Sequence, residues 1–200
     1  KIILEDKKAI GVTLENDTSI YSRTIVSNAT RWDTFGGEGI NTPLIESNQI
    51  PQSETKWRKR YKPSPSFLSL HLGVSKDIIP AGTHCHHLLL DNWKKMEREQ
   101  GVVFVSIPTL LDPTLAPSEN HIVHAFTPSS MECWDNLTNK EYLEKKEIDG
   151  GKLIEKLENL FPGLSQNITH KEIGSPKTHK RFLSRNKGSY GPIPLTRLPG

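Results

Sequence analysis

Thr83-His84-Cys85-His86-His87 gathers three imidazoles and a thiol within five residues. On an extended strand His84 and His86 share a face, and imidazole with thiolate is a ligand set for zinc or copper. No second ligand group stands at standard spacing; His121 and His124 would have to contribute from a neighbouring strand. Pocket-lining or hydrogen-bonded histidines are therefore the expected state, and no metal ligand is assigned. A second stretch, Gly188-Ser189-Tyr190-Gly191-Pro192, follows the cations Lys177, Lys180, Arg181, Arg185 and Lys187. Two glycines around a tyrosine, closed by proline, make a turn where backbone approaches a ligand while one ring stacks over it; the alternative is an ordinary surface loop. A third, Lys56-Trp57-Arg58-Lys59-Arg60-Tyr61-Lys62, sets two aromatics among five cations. It reads as a solvated helix face, an anionic-membrane contact or a nucleic-acid contact.

Other chemistries are poorly served. No G-x-S-x-G elbow is present, and Cys85 or Cys133 with scattered histidines is no dyad signature. Without a Walker loop or G-x-G-x-x-G, nothing holds a dinucleotide pyrophosphate in the usual way. No catalytic residue is assigned.

The elements that must position these groups are short. Ile2 to Leu4, Ala9 to Glu15 and Ser19 to Ser27 read as an antiparallel meander, with Asp6-Lys7-Lys8 and Asn16-Asp17 as turns. Thr30 to Gly37 reads as a glycine-bearing hinge, and residues 47–60 as a polar helix starting near Pro51. Ser66 to Val74 alternates Leu68, Leu70 and Leu72 on one face with Phe67, Ser69 and His71 on the other. Further strands are expected at His86 to Leu90, Val102 to Ile107, His121 to Phe126 and Ile168 to Ile173. The clearest helix starts at Thr138, which forms a capping box with Glu141, and ends at Pro162-Gly163; Gly150-Gly151 weaken its middle. Gly174 and Pro176 are read as breaking the chain into a loop.

Only 34% of the 200 residues are hydrophobic and mean hydropathy is −0.53, which suits a polar domain or a piece of something larger. A net charge of +3 is too small to imply nucleic acid. Two cysteines without CxxC argue against a disulfide scaffold. No apolar run approaches the ~20 residues of a spanning helix. The chain opens inside a strand-like run without Met, so its termini look cut.

Several strings together resemble one family: residues 25–35 (Ile-Val-Ser-Asn-Ala-Thr-Arg-Trp-Asp-Thr-Phe), 61–74, Cys85-His86-His87-Leu88, 104–117 and 160–164. They are similar to the carotenoid isomerases, within the phytoene-desaturase-like flavoprotein oxidoreductases. The resemblance implies an α+β fold with a mixed or antiparallel sheet and helices. Residues 1–30 would be part of the β-meander of an FAD domain, 31–172 a substrate domain roofing an apolar tunnel, and 173–200 a return segment toward the FAD domain. It further implies conversion of poly-cis carotenes such as prolycopene to all-trans lycopene. On the same resemblance reduced FAD, held mainly by regions outside this chain, would lower the barrier to double-bond rotation by electron donation or by reversible proton or hydride addition. A polyene offers no charge, so its binding rests on apolar area, ~25 cal/mol per Å².

On that resemblance Ser27, Asn28, Ala29, Tyr190 and Gly191 are expected near the flavin. Phe67, Leu68, Leu70, Ile107, Leu110 and Phe126 are candidate tunnel walls, plain core packing being the alternative for each. The expected partners are a poly-cis lycopene substrate and a peripheral membrane surface, without nucleic acid. The expected location is the plastid (chloroplast) or a photosynthetic membrane, and the 200 residues alone are expected to be inactive. The alternative is a non-catalytic lipid- or carotenoid-binding module at a membrane surface. Three positions depart from the family pattern: Gly36-Gly37-Glu38-Gly39 replaces an apolar helical run, His84 an acidic residue, and Ser175 a Thr. They mark a divergent member or an incompletely functional one.

Overall fold

Period-two runs broken by Asp, Gly and Pro set the strands, and two longer polar-apolar stretches set the helices. The computed structural model describes residues 1–37, 40, 42–96 and 98–195. Glu38 and Gly39 of the departing glycine run, and residues 196–200 of the return segment, lie outside them. The strands are β1 (Ile2–Glu5), β2 (Lys8–Thr13), β3 (Ser19–Tyr21), β4 (Tyr61–Pro63), β5 (Ser66–Ser75), β6 (His86–Leu89), β7 (Val103–Ser106), β8 (Asn120–Ser129), β9 (Ile168–Gly174) and β10 (Pro192–Pro194). The helices are α1 (Arg31–Phe35), α2 (Gln52–Arg58), α3 (Asn139–Leu160) and α4 (Pro176–Leu183). Every strand pairing is antiparallel, giving the expected α+β class.

The chain divides into two units, Lys1–Ser64 with Lys180–Gly200, and Pro65–His179. The divisions expected after residues 30 and 172 fall inside these units. Residues 31–64 stay with the first because Ile2 N–H donates to Leu44 O (2.8 Å) and β4 pairs with β10.

In the first unit β1-β2-β3 form the meander. Asp6 and Lys7 both take positive φ, as a tight two-residue hairpin turn requires. The third strand is shorter than expected. The Ser22 hydroxyl donates to Thr24 O (3.0 Å) and accepts from Thr24 N–H (3.4 Å), a local turn that removes the chain from the sheet before Ile25. The expected hinge at Thr30 is instead α1, with Thr30 as N-cap accepting from Asp33 N–H at 3.1 Å.

The second unit is a five-stranded sheet, β6-β7-β8-β5-β9, with α3 on one face. Leu68, Leu70, Leu72 and Val74 of β5 join Val123 and Ala125 of β8, Val103 and Val105 of β7, and Leu153 and Leu157 of α3 in its core. The Thr138–Glu141 capping box forms in both directions. α3 continues unbroken through Gly150-Gly151 to Leu160. A Cβ on Gly150 would stand 2.4 Å from Ile173 Cδ1, so this glycine lets the helix approach β9, whereas one on Gly151 would meet open space.

Gly151→Ala is therefore expected to stabilise the fold by up to about 1 kcal/mol through helix propensity. Gly150→Ala gains the same propensity but must displace Ile173, and is expected to be neutral or destabilising. Urea midpoints of the two variants check the contrast; equal stabilisation by both would remove the close-approach account.

Candidate functional site

Two surfaces bring the chemistry-bearing residues together. The first is a cleft of about 210 Å³ in the first unit, lined by Asn28, Ala29, Thr30, Arg31, Trp32, Arg185, Tyr190, Gly191 and Pro192. Residues some 160 positions apart in sequence meet there because the Gly188–Gly191 turn is tied to Ser64. Ser64 N–H donates to Gly191 O (2.8 Å), and its hydroxyl accepts from Tyr190 N–H and Gly191 N–H, each at 3.2 Å. Asp33 adds a second tie, accepting from Asn186 N–H at 3.0 Å.

The cationic wall of the cleft is fixed from behind. Arg31 donates through Nε and Nη2 to the two oxygens of Glu54, at 2.7 and 2.5 Å, and lies 4.6 Å over the Trp57 ring. Glu54 is nearly buried while Arg31 stays half exposed, and the Glu54 hydrogen bond outweighs burial in holding the guanidinium pKa above its ordinary value. Arg185 stands 5.1 Å over the Tyr190 ring, and burial raises the Tyr190 phenol despite that cation. Trp57 also stacks on Tyr61 at 4.7 Å, so the aromatics of the 56–62 run pack against the first unit's own residues.

Four of the five residues expected near a flavin, Asn28, Ala29, Tyr190 and Gly191, share this cleft. The fifth, Ser27, lines a neighbouring hollow of about 360 Å³ with Ile2, Ala9, Ile25 and Phe35, and its hydroxyl lies 3.1 Å from that of Thr34. Small-molecule pockets span roughly 300–1,000 Å³. At about 210 Å³ the cleft is smaller than that range, and its lining presents a phenol, a guanidinium and a side-chain-free Gly191.

The second surface is the face of the five-stranded sheet away from α3. Register sorts it into rows across the strands. Leu88, Phe104 and Phe126 lie side by side on β6, β7 and β8, and the next row reads His86, Ser106, His124, His71, Glu172 from β6 to β9. Phe104 stacks on Phe126 (5.0 Å, 12°), and Phe67 meets Phe126 edge-on at 5.1 Å. Leu88 and Phe104 remain 51% and 38% exposed. His71 and His124 meet edge-to-face at 4.7 Å, and His124 is held below the usual imidazole range, first by burial and then by His71.

The candidate tunnel walls therefore divide. Phe67 and Phe126 lie on the open face. Leu68, Leu70 and Ile107 are fully buried in the core and Leu110 packs against it, because neighbours on a strand point to opposite sides. Sequence reasoning missed Phe104 and Leu88; the signal was their alternation with core residues Val103, Val105 and Leu89. It also missed Arg31 and Trp32, which only tertiary contact brings to the cleft beside Arg185 and Tyr190.

The histidine run holds no metal set. His86 lies on β6 and His124 on β8, with β7 and its Ser106 between them. His87 Nε2 lies 2.9 Å from His84 O, and His121 Nδ1 lies 2.8 Å from the Thr109 hydroxyl. Among the described residues no group of three or more His, Cys, Asp or Glu is arranged around a metal.

No family model matches the chain. It is 50% identical over 196 residues to prolycopene isomerase 2, chloroplastic, of an Oncidium hybrid cultivar, and 50% identical over 195 residues to prolycopene isomerase, chloroplastic, of Arabidopsis thaliana. The resemblance to the carotenoid isomerases holds. It covers 97% of this chain in the Oncidium comparison, and the chain spans about a third of those relatives' length (32%). Carotenoid isomerase similarity thus runs through both units. A phytoene desaturase (neurosporene-forming) of Rhodobacter capsulatus is 24% identical over 190 residues. An oxidoreductase crystal structure from Methanosarcina mazei matches 87% of the chain and 36% of its own, with a TM-score of 0.51 and 22% identity, which supports the fold.

Glu54→Gln is expected to destabilise the chain by about 1–3 kcal/mol, by leaving Arg31 without its paired carboxylate. A urea midpoint that stayed at the parent value would mean that Arg31 needs no anchor.

Proposed function

We propose that this chain is a segment of an FAD-dependent carotenoid isomerase that converts poly-cis carotenes such as prolycopene to all-trans lycopene in the plastid. The observation that carries the reading is the exposed apolar row Leu88–Phe104–Phe126, flanked by Phe67, with no charged side chain in the row itself. A hydrocarbon polyene is recognised by area and shape, and a flat row of rings on a rigid sheet supplies both. Leu68, Leu70 and Ile107 hold the row from behind through the core. Asn28, Ala29, Tyr190 and Gly191 would hold one edge of the flavin, with Arg185 keeping the Tyr190 ring in place. Reduced flavin, when bound, supplies the electron, proton or hydride chemistry that transiently removes double-bond character.

Diphenylhexatriene, a hydrocarbon polyene that brightens in apolar surroundings, is expected to bind the 200-residue chain. Phe104→Ala, at an exposed position, should weaken binding about three- to tenfold. Unchanged affinity would take the sheet face out of substrate binding. Should a protein carrying this chain leave prolycopene unaltered with reduced flavin present, the isomerase assignment is lost.

Charge distribution supports a second element, peripheral attachment to an anionic membrane. The first unit carries 15 Lys and Arg against 8 Asp and Glu, a net +7, and the second 11 against 15, a net −4. In the last turn of α4, Phe182 (74% exposed) and Leu183 stand beside Lys180 and Arg181, the pairing of apolar tip and cations that inserts at an interface. Co-sedimentation with phosphatidylserine vesicles at low salt is expected, reduced several-fold by Phe182→Ser and by 0.5 M salt. Protein remaining in the supernatant at low salt would refute it.

A further inference from the structure

The row beside the apolar one has a composition that a hydrocarbon ligand does not explain. His86, Ser106, His124 and His71 follow one another across β6, β7, β8 and β5, and Glu172 ends the row on β9. It lies two residues along each strand from Leu88–Phe104–Phe126, about 7 Å away. The two rows are parallel, so a ligand lying on the apolar one has hydrogen-bonding groups along its flank.

Those groups are unused by the protein. The Ser106 hydroxyl has only the Cys85 sulfur, at 4.0 Å. His71 and His124 meet ring to ring, and neither ring nitrogen has a protein hydrogen bond among the described residues. Two comparable groups of this unit are engaged: His121 pairs with Thr109, and Ser129 accepts from the Trp134 indole at 2.8 Å. A neutral imidazole offers one donor and one acceptor, so the His71–His124 pair suits a hydroxyl or carbonyl, which needs both or either. His86 at one end of the row is exposed, and Glu172 at the other is paired with His170 at 3.4 Å, which leaves the middle of the row as the receiving part.

We infer that the open sheet face is a two-row site for a polyene carrying one oxygenated end. The hydrocarbon lies on Leu88, Phe104 and Phe126, and the hydroxyl or carbonyl bonds to His71, His124 and Ser106. This rests on reading the face as a polyene surface and adds a ligand class to it: oxygenated polyenes compete with, and are preferred over, hydrocarbons of equal length.

The test compares retinol with the same polyene lacking its hydroxyl, both titrated into the 200-residue chain at pH 8. One net hydrogen bond in a half-buried site corresponds to roughly five- to tenfold tighter binding of retinol. His71→Leu with His124→Leu is expected to abolish that preference, and His71→Gln with His124→Gln, which keeps donors and acceptors, to retain most of it. Circular dichroism and diphenylhexatriene binding verify that each double variant is folded. Equal affinity for the two polyenes, or a preference that survives in the leucine variant, overturns the oxygenated-end assignment while leaving the polyene surface standing. Failure of all three polyenes to bind overturns the surface reading itself, and the two-row site with it.

Discussion

Each residue that β5 sends into the core sends its neighbour to the far side of the sheet, and the second unit is built on that alternation. Leu68, Leu70, Leu72 and Val74 bury themselves under α3. Phe67, Ser69, His71 and Gly73 have no choice but the other face. The same register binds β8 and β7, so core packing on one side fixes the order of rings and imidazoles on the other. A one-residue slip would exchange the aromatic row for aliphatic core residues, and burial of Leu68 and Leu70, at about 1.5–3 kcal/mol each, opposes it. The proposed binding surface is thus a by-product of core register, which gives it rigidity without dedicated supports.

The first unit solves a different problem, holding polar loops in place without a sizeable core. Its cleft depends on one carboxylate pair and one hydroxyl. Glu54 fixes Arg31, Thr30 caps α1 by accepting from Asp33 N–H, the Asp33 carboxylate accepts from the Asn186 backbone, and Ser64 receives the Tyr190–Gly191 turn. These bonds join segments remote in sequence. Each polar atom so engaged is also one removed from solvent, which suits a chain with only 34% hydrophobic residues.

The sequence was legible wherever a local rule decided the outcome. Thr138 and Glu141 announced α3, and the alternation from Ser66 announced both faces of β5. It misled where one residue type serves two opposite signals. Pro176 reads locally as a breaker, yet after Ser175, whose hydroxyl accepts from Thr178 N–H at 3.3 Å, it is the first-turn proline of α4. Gly150 reads locally as a weak point, but the demand on it comes from Ile173, 23 positions away and invisible to helix propensity. Phe67 and Leu68 are both candidate tunnel walls by resemblance, and the alternation of β5 places them on opposite faces. The cleft residues Arg31 and Trp32 carried no local signal of their place beside Arg185 and Tyr190, since only the folded chain brings them together.

The similarity of one segment to isomerases at 50% identity and to a desaturase at 24% has a physical reading. A surface that binds by apolar area cannot tell a double bond about to rotate from one about to form, because both reactants present nearly the same hydrocarbon. On the proposed reading, the sheet face sets what is bound and in which row it lies, and the reaction is decided by the redox state and placement of the flavin. What such a face can discriminate is polarity at a chain end, since a single hydroxyl is worth about as much as 40 Å² of apolar contact once both its partners are desolvated. The imidazole row stands where that distinction would be made, one step along the strands from the rings.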